Sequence, residues 1–113
     1  MSRPLRFSGD AAFISHRRTG LRLDEKCYTA FVTISPDRHW RFAAVSSKRV
    51  GGAVERNRAK RRLRAAFNHA PRDHSPLSVI FYTKAAILRA AFPDLVESVE
   101  KTLPHALNSH RTS

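Results

Sequence analysis

From Cys27 to Ile34 the chain alternates strictly. Tyr28, Ala30, Val32 and Ile34 fall on one side, and Cys27, Thr29, Phe31 and Thr33 on the other. A period of two predicts a half-buried strand, with the first set as its core face. Phe31 is then the single large aromatic on the more polar face. Ser35-Pro36-Asp37 reads as a turn, and a second strand is expected from about Trp40 to Ser46, paired antiparallel with the first. Gly51-Gly52 breaks the chain before a period near 3.6. Ala59, Leu63, Ala66, Phe67 and Ala70 form one apolar stripe on a helix from about Ala53 to His69. The run from Leu77 to Thr83 is apolar almost throughout, as a central strand covered on both faces requires.

The ends are read from caps and breakers. Ser8-Gly9-Asp10 can start a short helix running to about Arg18 and ended by Gly20, with Phe13 and Arg17 on one face. The stretch from Pro71 to Pro76 is a loop, and a short helix is expected at Ala85 to Ala90. Pro93 suits the first turn of a last helix carrying Leu95, Val96, Val99 and Leu103, which Pro104 ends or kinks. The order is α-β-β-α-β-α. Its class is α+β, one domain over residues 1–113 built as helices on a small sheet, with a frayed polar tail from about 108 to 113.

Charge changes the picture. The chain has 113 residues, with 21 Lys and Arg against nine Asp and Glu, for a net charge of +12. Self-repulsion of that size implies a polyanionic partner. The excess is local: residues 48–64 hold eight basic residues and one acidic one, Glu55. On the wheel, Asn57, Lys60, Arg61 and Arg64 form a polar-basic stripe beside the apolar one, and Arg58 and Arg62 flank a third side. The basic residues are mostly Arg, whose planar guanidinium grips phosphate bidentately and stacks on bases. A membrane-surface helix needs a bulky apolar face, and this one offers mainly Ala. No helix-turn-helix pattern precedes it, and cations on several sides suit irregularly folded RNA better than a DNA groove.

Catalytic chemistry by the chain itself is poorly supported. The six His residues are scattered, and Cys27 is the only cysteine, so neither a disulfide framework nor a zinc module fits. Glu55 reads as charge complementarity at a helix N-terminus. No apolar run reaches membrane-spanning length, and the N-terminus lacks the apolar core of a secretory signal. A cytoplasmic protein is expected.

The segment from Ser47 to Arg64, SKRVGGAVERNRAKRRLR, resembles the signature of the bacterial ribonuclease P protein subunit, S-K-(K/R)-x-G-x-A-V-x-R-N-x-x-K-R-x-x-R, at every fixed position. The resemblance extends over roughly residues 5 to 107. It implies an α/β sandwich of the ribosomal-protein-domain type, with a left-handed β-α-β crossover, the opposite of the usual hand. It implies a role in removing the 5′ leader of precursor tRNA by phosphodiester hydrolysis. The catalyst would be a large RNA subunit holding Mg²⁺, with no organic cofactor. The protein would bind that RNA and the leader, and neither membrane nor DNA.

Carried onto this chain, the resemblance gives Arg56, Asn57, Arg58, Lys60, Arg61 and Arg64 to the catalytic RNA, with Lys48 and Arg49 as a basic lead-in. Arg62, from its flanking place on the wheel, joins the RNA-binding set. Phe13 and Phe31 match aromatics of the leader-binding cleft. Arg17 stands where many members have a second aromatic, so leader contact there would be more electrostatic. Ala43 and Val45-Ser46 also depart from the common pattern. The rival reading is a structural RNA-binding protein of ribosomal type, which explains size and charge equally but predicts no effect on cleavage.

Overall fold

The computed structural model describes residues 20–35, 38–70 and 76–112, with side chains as far as Pro104. Its elements are β1 (Leu21–Asp24), β2 (Tyr28–Ile34), β3 (Arg41–Val45), α1 (Ala53–His69), β4 (Leu77–Thr83), a 3-10 turn (Ala85–Leu88) and α2 (Phe92–Thr112). The strands form one sheet in the order β1-β2-β4-β3. The α+β class therefore holds. The helix expected between Ser8 and Arg18, the proposed Phe13 and Arg17 positions, and nearly all of the Pro71–Pro76 loop lie outside the described residues.

β2 and β3 are not partners. β4 lies between them, antiparallel to β2 through Tyr28↔Thr83 to Ile34↔Leu77 and parallel to β3 through Arg41↔Ser78 to Val45↔Tyr82. The expected hairpin fails for a physical reason. β4 is the most apolar strand, and the centre is where both its edges and both its faces are covered. β3, α1 and β4 thus form a parallel crossover unit between neighbouring strands. β1 was not foreseen: four residues reading Leu-Arg-Leu-Asp after a glycine carry too short an alternation. Its Leu21 and Leu23 are half-buried and its register with β2 runs from Leu21↔Val32 to Asp24↔Thr29.

The core lies between the sheet and the two helices. Tyr28, Ala30 and Val32 of β2, Leu77, Val79 and Phe81 of β4, and Phe42 of β3 face it. All five residues of the α1 apolar stripe are fully buried against them. Phe67 sits centrally, with ring centroids 4.8 Å from Phe42, 5.8 Å from Trp40 and 6.1 Å from Phe81. Ile34, assigned to the core face, is instead 45% exposed. It is the last residue of β2. The Tyr28 hydroxyl reaches α2, 2.9 Å from both Ser98 Oγ and Thr102 Oγ1. Burial pushes its phenol above the ordinary range, against the pull of these two hydrogen bonds.

α2 begins with Pro93 in its first turn, as expected, but runs through Pro104 to Thr112, across the stretch read as a frayed tail. Proline there removes one donor and leaves the carbonyl four residues earlier unbonded. That residue is Glu100, which is exposed. Among the described residues no helix is long and apolar enough to cross a membrane.

Candidate nucleic-acid interface

The basic helix is launched by two glycines. Gly51 has φ +147°, and a Cβ there would lie 2.8 Å from Glu55 Cβ, so only glycine lets the chain turn this tightly onto the first helical turn. Gly52 caps the helix with its carbonyl, which accepts from Arg56 N at 2.9 Å and from Arg56 Nε at 3.4 Å. Glu55 stays in the first turn, at the positive end of the helix.

Burying Ala59, Leu63, Ala66 and Phe67 fixes where the cations point. Asn57, Arg58, Arg61 and Arg64 are exposed, Arg56 and Lys60 are half-buried, and Lys48 and Arg49 are exposed in the turn before the helix. The ion pairs found among the described residues, Lys84–Asp24 and Lys101–Glu97, both lie off this helix. The helix therefore presents an array of cations that no described acidic side chain neutralises. Arg64 is partly steadied, its guanidinium carbon lying 5.7 Å from the Phe42 ring centroid.

Arg62 differs from the others. It is half-buried and donates through Nη2 to the carbonyl of Ala90, beyond the 3-10 turn. Its contact is with the protein's own backbone, so it ties α1 to the segment leading into α2. The wheel placed it on a flank, and only the tertiary neighbour shows what lies there.

Phe31 lies on the other face of the sheet, away from the helices. Strand register puts Arg22, Phe31, Ile80 and Ala43 in one row across that face, with Thr29 and Tyr82 in the next. Phe31 and Tyr82 meet edge to face, centroids 5.6 Å apart. The alternation argument for Phe31 holds: it is half-buried and does not belong to the helix-side core. Tyr82 was missed. A period-two reading of Leu77–Thr83 separates Ser78, Ile80 and Tyr82 from Leu77, Val79 and Phe81, but the continuous apolar run conceals it. The sheet thus separates the two candidate surfaces, cations on the helix layer and an aromatic pair on the opposite face.

Among the described residues no three His, Cys, Asp or Glu side chains converge as a metal site requires. Cys27 is buried, and desolvation raises its thiol pKa, which makes it a poor nucleophile.

The family model described as Ribonuclease P matches residues 1–107. A ribonuclease P protein component from a Nitratiruptor species is 41% identical over 69 residues, which cover 60% of this chain and 62% of that protein. Among solved structures, the Staphylococcus aureus RNase P protein superposes with a TM-score of 0.70 at 20% identity, covering 93% of this chain and 94% of that one. The Thermotoga maritima RNase P protein gives 0.68 at 18% identity, covering 80% and 87%.

Proposed function

The chain belongs to the ribonuclease P family, and from that premise we propose that it is the protein subunit of a ribonucleoprotein that removes the 5′ leader of precursor tRNA in the cytoplasm. The observation that carries this reading is the outward cation array of α1, which no described carboxylate neutralises. Arg56, Asn57, Arg58, Lys60, Arg61 and Arg64, with Lys48 and Arg49, bind the phosphates of the catalytic RNA. Arg guanidinium suits this role because it stays charged and pairs with two phosphate oxygens at once. Phosphodiester hydrolysis belongs to the RNA, whose phosphates hold Mg²⁺. The described protein residues supply neither a metal site nor an activated nucleophile.

The second surface serves the substrate. Phe31, with Tyr82 beside it, offers aromatic edges and faces on which unpaired leader bases stack. Such contacts contribute about 1–3 kcal/mol per base. Phe31→Ala is expected to weaken binding of a leader-bearing tRNA by roughly tenfold or more and to leave mature tRNA binding unchanged. Equal losses on both would return Phe31 to a packing role. With six to eight phosphate contacts, RNA affinity is expected to fall with a log–log salt slope of about −4 to −7. A flat response would remove the electrostatic basis of the reading.

A further inference from the structure

A second basic locus lies off the motif helix. At the end of the sheet where β1 turns into β2, Lys26, Ala86, Arg89 and Ala90 line an open depression of about 350 Å³. Lys26 sits in the β1–β2 turn, and Arg89 closes the 3-10 turn. Both are exposed, and neither forms an ion pair among the described residues. The walls between them are two alanines, which leave the space open.

The two walls are tied together. Lys84 N donates to Cys27 O at 2.9 Å, and Lys84 Nζ donates to Glu25 O at 2.6 Å and to Asp24 Oδ1 at 2.5 Å. The turn carrying Lys26 is thereby fixed to the exit of β4, from which the 3-10 turn starts. The one carboxylate in this tie, Asp24, is paired with Lys84 and does not line the depression.

The lining has few acceptors left to repel an anion. Ala86 O already accepts from Arg89 N and Ala90 N, each at 3.1 Å. Ala90 O is taken by Arg62 Nη2. Arg62 also brings a third positive charge to this rim, and its buried Nε has no hydrogen-bond partner among the described residues. The carboxylates on adjoining elements do not line the space: Glu25 accepts from Thr102 Oγ1 at 3.5 Å, and Asp94 lies in the first turn of α2.

We propose that the depression between Lys26 and Arg89 is a phosphate-binding site that takes a backbone phosphate of RNA. It extends the RNA footprint from α1, across Arg62, to the β1–β2 turn. The choice of RNA rests on the function proposed above, whereas the site itself rests on its own lining. A phosphodiester can pair with a Lys and an Arg at once, and neither contact reads base sequence.

Two measurements decide it. The first titrates inorganic phosphate into the ¹⁵N-labelled full chain at constant ionic strength, followed by backbone amide shifts. Saturable shifts are expected at Lys26, Ala86, Arg89 and Ala90, and they should vanish in the Lys26→Gln/Arg89→Gln variant. Both side chains are exposed, so unchanged Tyr28 and Phe81 amides will show that the fold is kept. No saturable shift at these amides, or shifts that survive in the variant, overturns the site. The second compares the salt dependence of ribonuclease P RNA binding. The variant's log–log slope should be shallower by about 0.7 to 0.9, the loss of one neutralised phosphate. An unchanged slope overturns RNA as the source and leaves free phosphate as the ligand. If the wild-type chain fails to bind that RNA at all, the proposed function falls, and the phosphate titration still decides the site.

Discussion

Replacing Arg61 and Arg64 together by alanine is expected to weaken binding to ribonuclease P RNA by about 100-fold or more at moderate salt. Hydrogen bonds to a charged partner contribute roughly 1.5–3 kcal/mol each, so two lost contacts exceed two decades in affinity. The salt slope should become shallower by about 1.4 to 1.8 as two phosphate contacts disappear. Stability should hardly change. Both residues are exposed, and surface changes of this kind stay within about 0.5 kcal/mol. Arg64 adds a contact to the Phe42 ring, for which about 0.5–1 kcal/mol is a fair allowance. Calorimetry on the free protein and filter binding at several salt concentrations separate the two effects. A variant that unfolds would place these side chains in the core, and one that binds normally would remove them from the interface.

The largest loss of stability should come from Phe67→Ala. Phe67 is fully buried and touches aromatic rings on β3, on β4 and before β3, so it joins α1 to the sheet at one point. Removing a buried phenyl ring costs about 3–5 kcal/mol. A domain of this size has about 5–15 kcal/mol in all. The midpoint of thermal unfolding should fall by roughly 12 °C or more. RNA affinity at low temperature should fall much less than in the double arginine variant, because the cations keep their places while the fold persists. A melting point within a few degrees of wild type would mean that α1 packs elsewhere.

The helix and its charge were legible in the sequence because one periodicity carries both. The apolar stripe from Ala59 to Ala70 fixes the buried side, and everything at other angles is left outside. Phe31 was legible for the same reason, as an aromatic on the wrong face of a strict alternation. Strand pairing was not legible. Nothing in Cys27–Ile34 or Trp40–Ser46 shows that β4, more than 30 residues further on, will come between them. Tyr82 was hidden by the very apolarity that marks β4 as central. Arg62 reads like its neighbours on the wheel, and its partner is a backbone carbonyl 28 residues away. The depression between Lys26 and Arg89 joins residues 63 apart in sequence, which no local pattern connects.

The surfaces on the two faces of the sheet imply a division of labour. Cations on the helix layer would hold the RNA subunit by charge and set most of the salt dependence. The aromatic pair on the opposite face would meet a flexible strand by stacking, which salt affects much less. Binding of the two RNAs should therefore respond separately to ionic strength and to aromatic truncation.

The central claim is that this chain serves an RNA catalyst through α1. Cleavage of precursor tRNA by a bacterial ribonuclease P RNA at low Mg²⁺, with and without the protein, tests it most directly. The wild-type chain is expected to stimulate cleavage, and the Arg61→Ala/Arg64→Ala variant is expected to lose that stimulation. Tight binding to the RNA with no stimulation, using the RNA from the same source, would contradict it and leave a structural RNA-binding protein.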